Sequence, residues 1–130
     1  MALDEAQIRE FARSYGEAWR SHDPTRVAGH YVPGGTIAIN GGEPTEITEV
    51  AQSFISAFPD IEVFTDDVVF KGDTVEYHWT FTGTNTGPAG TGRRVRISGF
   101  EEWMFGDDGL VVRSQGHYDQ ADYDRQLAGS

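Results

Sequence analysis

From Thr91 to Tyr118 the chain reads as two long amphipathic strands joined by the turn Gly106-Asp107-Asp108-Gly109. Strands of this length must pair and must cover one face, so the segment commits the protein to a sizeable antiparallel sheet. Upstream, Val75, Tyr77, Trp79 and Phe81 alternate with Glu76, His78, Thr80 and Thr82, the period of two expected when one face of a sheet is covered. This strand joins another over 61–70 through a tight Lys71-Gly72-Asp73 turn. A carboxylate, an imidazole and several aromatics lie along these strands, which suits the wall of a ligand cavity.

The first half of the chain has helical spacing instead. Ile8, Phe11, Tyr15, Ala18 and Trp19 form one apolar face over 4–21, with Asp4 and Gln7 spaced as a capping box. Asp23-Pro24 starts a short second helix that carries Val27, Ala28 and Tyr31. Pro33-Gly34-Gly35 reads as a turn and 36–40 as a short strand. A third helix is expected from Pro44 to about Ala57, stopped by Pro59. Gly87, Gly90 and Gly92 belong to a loop. After the last strand only a short polar tail is expected. Helices followed by a long antiparallel sheet define an α+β domain, and 130 residues suffice for one such domain, 1–130.

Composition excludes several functions. Twenty-one acidic against ten basic residues give a net charge of −11, which repels a polyanion, so no nucleic-acid partner is expected. The one basic cluster, Arg93, Arg94 and Arg96, opens a strand and reads as a solvated edge. The chain has no cysteine, hence no disulfide and no thiol nucleophile. No apolar run reaches membrane length, and the N-terminal residues resemble no leader, so a cytoplasmic protein without a membrane partner is expected. No cofactor motif is present: the glycines of 83–92 do not follow a phosphate-loop pattern. The four histidines lack ligand spacing, so no metal is expected.

The order of elements resembles the nuclear transport factor 2-like superfold, a cone in which a curved, mainly antiparallel sheet wraps three N-terminal helices around one pocket. The resemblance rests on RSYGEAWRSHDPTRVAGHYVPGGTI as the opening helix pair, and on Phe58-Pro59-Asp60 before the first long strand. It extends through Thr91-Gly92-Arg93, Asp108-Gly109, Tyr118-Asp119 and Arg125-Gln126-Leu127. Within that superfold these motifs resemble the SnoaL-like polyketide cyclases. The resemblance implies a cyclase or isomerase working by acid/base catalysis on a small hydrophobic carbonyl compound, with a non-catalytic binder as the alternative. It also implies a homodimer formed through the sheet, for which His78, Thr80 and Thr82 offer a face.

Candidate site residues follow from the same likeness and from strand register. Asp119 matches the acid/base of the cyclases near the end of the last strand, and reads equally as a cap of the C-terminal segment or a solvated acid among Asp122 and Asp124. His117, two residues earlier, either relays its proton or is an ordinary strand histidine. If Phe105 pairs with Leu110, then Gly99, Glu101 and Trp103 share a face with Val112, Ser114, Gly116 and Tyr118, and His117 and Asp119 point the other way. That register favours Glu101. Ketosteroid isomerases, on this fold, keep a protonated acid at the equivalent position, and Tyr15 falls at the spacing of their oxyanion tyrosine. Where those isomerases carry their base, this chain has Ile39 and Asn40. Trp19, Tyr77, Trp79, Phe81, Trp103 and Tyr118 are the candidate ligand contacts, or else plain core aromatics.

Overall fold

The computed structural model describes residues 4–129; residues 1–3, part of the segment read for a leader, and residue 130 lie outside the described residues. Helix α1 spans Glu5–Arg20, α2 Pro24–Ala28, α3 Ile47–Ala57 and α4 Gln120–Ala128. The strands are β1 Tyr31–Ile39, β2 Thr45–Glu46, β3 Glu62–Lys71, β4 Thr74–Thr84, β5 Arg94–Phe105 and β6 Val111–Tyr118. They form one six-stranded sheet in the order β2-β1-β6-β5-β4-β3. Every pairing is antiparallel except that of β1 with β6. This is the expected α+β architecture, a curved and mainly antiparallel sheet folded over helices.

Local chemistry explains the helix starts. Asp4 Oδ1 accepts from the Gln7 amide at 2.8 Å and Gln7 Oε1 from the Asp4 amide at 2.9 Å, closing the capping box. Asp23 accepts from the Thr25 amide at 2.9 Å, ahead of Pro24 in the first turn of α2. The apolar face of α1 buries Ile8, Ala12, Tyr15, Ala18 and Trp19 against the concave side of the sheet. Trp103, Tyr77 and Phe58 are fully buried in the same core. No helix among the described residues is long and apolar enough to cross a membrane.

Four details depart from the sequence-based expectation. The polar tail is helix α4, capped by Asp119 at one end and by Gly129, in a left-handed conformation (φ 78°), at the other. Tyr31 opens β1 rather than ending α2, and Pro33-Gly34-Gly35 is an irregularity inside that strand, where the register against β6 shifts. Helix α3 begins at Ile47, because Thr45 and Glu46 pair with Ile37 and Thr36. In the closing hairpin Phe105 pairs with Val111, not Leu110. The shift leaves Val112 exposed and moves the partners two residues along, to Trp103–Ser114, Glu101–Gly116 and Gly99–Tyr118, so that Ser114, Gly116 and Tyr118 keep the expected face and Val112 does not. On the outer face Thr80 and Thr82 are only 5% and 6% exposed.

Candidate active site

Glu101 sits at the middle of β5, between Tyr77 of β4 and Gly116 of β6. Alternation along the strand sends Glu101 and Trp103 inward and Phe100 and Glu102 outward. Its carboxylate is met by side chains from three other places in the chain and one on its own strand. Trp103 Nε1 and Ser114 Oγ each donate to Oε1 at 2.9 Å, and Tyr31 OH donates to Oε1 at 3.3 Å. Tyr15 OH reaches Oε1 at 3.1 Å and Oε2 at 3.2 Å, and lies 3.1 Å from Tyr31 OH. The two oxygens are therefore unequal. Oε1 faces every one of these donors, whereas Oε2 has Tyr15 alone.

Burial raises the Glu101 carboxyl above the ordinary glutamate range, and it outweighs the opposing hydrogen bonds from Trp103, Ser114, Tyr15 and Tyr31. None of these partners is a cation, so nothing compensates the charge fully. Tyr15 and Tyr31 are pushed well above the usual phenol range, first by burial and then by the neighbouring Glu101 charge. Both remain donors at neutral pH. Because Oε1 is saturated with donors, the acid form carries its proton on Oε2.

Glu101 opens onto a cleft and, among the described residues, is the one carboxylate in its lining. Ile37, Ile39, Val50, Phe54, Ile61 and Val63 supply the aliphatic and aromatic wall. Of the residues proposed from sequence as ligand contacts, Trp19, Tyr77, Trp79, Phe81 and Tyr118 line the cavity. Trp103 does not: it is completely buried behind Glu101, stacked on Tyr77 with ring centroids 4.8 Å apart. Tyr15 and Tyr31 likewise stand behind the carboxyl rather than in the cleft.

The other two proposed catalytic groups lie elsewhere. His117 points to the outer face, where Nε2 is 2.7 Å from Glu102 Oε1 and the ring stacks on Phe100 at 4.8 Å. Asp119 is exposed and caps α4 through the Asp122 amide at 3.1 Å. Strand alternation separates His117 from Glu101, with no bulge between them, and Asp119 lies past the end of β6 at the start of α4. Among the described residues no group of three His, Cys, Asp or Glu is placed to hold a metal ion.

A family model for the SnoaL-like polyketide cyclases matches residues 9–127. The chain belongs to that family. Among solved structures, this SnoaL-like chain is similar to TsrD from Streptomyces laurentii, with a TM-score of 0.83, 23% identity, and 99% of this chain and 100% of that one covered. It is also similar to IdmH from Streptomyces antibioticus, proposed to be a polyketide cyclase, with a TM-score of 0.73 and 23% identity over 94% and 99% of the two chains. A third is SalBIII, an epoxide hydrolase/cyclase-like enzyme of pyran ring formation in the polyether salinomycin, with a TM-score of 0.77 and 17% identity over 92% and 95%. No curated protein matches the chain.

Sequence reasoning missed two members of the SnoaL-like site. From sequence Tyr31 belongs to the second helix and Ser114 is only a member of the shared strand face, yet both donate to Glu101. The signal for Ser114 was present, since it pairs with Trp103 on the face that also carries Glu101. Nothing local announces Tyr31, which reaches Glu101 across 70 residues of sequence. At the position where a base was sought on the first strand, Ile39 faces the cleft. Asn40 instead accepts the Tyr118 amide at 2.9 Å and donates to Gln120 Oε1 at 3.2 Å.

Proposed function

We propose that this SnoaL-like protein is an acid/base cyclase or isomerase for a small, neutral, hydrophobic carbonyl compound, with Glu101 as the group that moves the proton. The observation that carries this reading is a single buried carboxyl, supported by four neutral donors, at the wall of an otherwise apolar cleft. Burial favours the acid form over the carboxylate. The donors on Oε1 make the carboxylate accessible once the proton leaves.

In the simplest sequence Glu101 Oε2–H donates to the substrate carbonyl oxygen, and a nucleophile within the same substrate attacks the carbonyl carbon. One C–C or C–O bond forms, the carbonyl π electrons become the O–H bond, and the nucleophile's proton returns to Glu101. Tyr15, Tyr31, Trp103 and Ser114 stabilise the transient carboxylate in place of water. One group thus serves as both acid and base, which suits a cleft with no second carboxyl. Lining without Lys or Arg among the described residues favours a neutral ligand over an anionic one.

Glu101→Gln keeps the shape and removes the mobile proton. With wild type and variant incubated against cyclisable aromatic and polyketide-like ketones, and products followed by mass spectrometry, turnover should fall by about 10²–10⁴-fold. Equal turnover by the variant would remove Glu101 from the chemistry. The absence of a first-strand base, with Ile39 in its place, favours a second reading, a binder without turnover. That reading predicts saturable binding of such ketones and no product from either protein.

A further inference from the structure

Ser14 and His30 meet outside the cleft that Glu101 serves, and neither lines it. Helix α1 supplies Ser14, and His30 follows Gly29, which ends α2. The backbone of His30 is pinned on both sides. Its amide donates to the Val27 carbonyl at 3.1 Å, and its carbonyl accepts the Val111 amide at 3.0 Å. Phe11 and Tyr15 then hold the ring edge-on, with centroids 5.1 and 5.5 Å away.

The two ring nitrogens differ in role. Nδ1 lies 2.9 Å from the Arg26 carbonyl oxygen, which can only accept, so Nδ1 carries the proton. Nε2 is thereby the acceptor of the neutral ring, and Ser14 Oγ donates to it at 2.9 Å. Burial, the largest influence, holds the His30 pKa below its ordinary value and so favours that neutral ring. A hydroxyl donating to a base that a third group orients is the arrangement of an activated nucleophile. Arg26 adds a cation whose charge is felt at His30, and its guanidinium has no hydrogen bond or ion pair among the described residues. Ser14 and His30 are half-buried and Arg26 is exposed, which leaves the group open to a small molecule.

We infer that Ser14, with His30 as its base, is a second reactive centre, a nucleophile that takes the acyl group of small activated esters. Ser14 Oγ bonds to the ester carbonyl carbon and passes its proton to His30 Nε2. The carbonyl π pair becomes an oxyanion, whose charge Arg26 offsets. Its collapse breaks the bond to the leaving phenol, which takes the proton from Nε2. Water then repeats the exchange. Its oxygen bonds to the carbonyl carbon, its proton passes through His30 to Ser14 Oγ, and the carboxylic acid is released. This centre shares no step with the chemistry proposed for Glu101.

The test uses p-nitrophenyl acetate to follow turnover and a fluorophosphonate to mark the nucleophile, with loss of fluoride. Native wild type should release nitrophenol and carry a phosphonyl label that peptide mass spectrometry maps to Ser14. Wild type unfolded in urea should carry no such label. His30→Gln should slow both reactions by about 10²-fold or more, and Ser14→Ala should lose the label. A hydrogen bond that merely ties α1 to the end of α2 predicts no label on the native protein, and that result overturns the inference. So does a label that maps elsewhere, a Ser14 label that forms as fast in His30→Gln, or nitrophenol release as fast in Ser14→Ala. The label is mapped on the unaltered protein, so a poorly folding variant does not blunt the test.

Discussion

The two faces of β4, β5 and β6 carry the same kinds of residue and put them to different use. Inward, Tyr77, Glu101 and Gly116 stand side by side across three strands; outward, His78, Phe100 and His117 do the same. The outer row is a stack, His78 on Phe100 at 5.2 Å and Phe100 on His117 at 4.8 Å, flanked by Glu76 and Glu102. There each carboxylate has an imidazole and water within reach. Glu102 is 37% exposed and 2.7 Å from His117, whereas Glu101 is 6% exposed and meets only neutral donors. A glutamate becomes a proton-transfer group through what surrounds it, and adjacent residues of one strand differ completely in that respect.

The sharpest way to break this contrast is to neutralise each acid in turn. Glu101→Gln should lower turnover by about two to four orders of magnitude, while Glu102→Gln should leave it within about twofold. Comparable losses from both, measured as kcat/KM on one substrate, would mean that burial is not what distinguishes the faces.

Two glycines of the inner face give the next effect. A Cβ at Gly99 would lie 2.2 Å from the backbone oxygen of His117, which can yield only by moving β6. At Gly116 the nearest atoms, Ile37 Cδ1 at 3.6 Å and Glu101 Cγ at 4.0 Å, are at ordinary contact distance. Gly99→Ala should therefore cost about 3 kcal/mol or more in chemical denaturation, and Gly116→Ala less than about 1 kcal/mol. The Gly116 variant narrows the cleft beside the acid, so it should weaken ligand binding without unfolding the protein.

The pH dependence of stability follows from the direction of the Glu101 shift. Its folded pKa lies above the unfolded value, so between the two the native state holds the proton that the unfolded state has lost. Wild-type stability should decline as pH rises from about 4.3 through the raised pKa and then level off, by about 1.4 kcal/mol per unit of displacement. Glu101→Gln lacks the proton and should gain on the wild type over that window. Parallel curves for the two proteins in urea melts from pH 4 to 9 would show that Glu101 titrates normally.

How far the sequence discloses this arrangement depends on the range of the interactions. The alternation of Val75, Tyr77, Trp79 and Phe81 is local and carries straight into the buried face of β4. The face that Glu101 shares with Ser114 and Gly116 was legible for the same reason, although the irregularity near Phe105 moves the pairing two residues from the expected register. The parallel pairing of β1 with β6 was not. It joins strands more than 70 residues apart and is interrupted by Pro33-Gly34-Gly35, which imitates a turn. Tyr31 was lost with it, and so was one donor to Glu101. Helix α4 escaped because it has no fully buried residue; its caps, Asp119 and Gly129, were its clearest mark.

Asp119 is where the family likeness and the geometry part, and the smallest expected effect decides between them. Its carboxylate accepts the Asp122 amide at 3.1 Å at the start of α4, a role that asparagine fills nearly as well and alanine does not. As a cap, Asp119→Ala should cost about 1 kcal/mol and Asp119→Asn only a few tenths, with turnover unchanged in both. As a catalytic acid/base, the order reverses: Asp119→Asn would keep stability and lose the reaction. Under the proposed function Glu101, which has the burial that Asp119 lacks, moves the proton instead. Measuring stability and rate on the same two variants separates a residue that holds a helix from one that moves a proton.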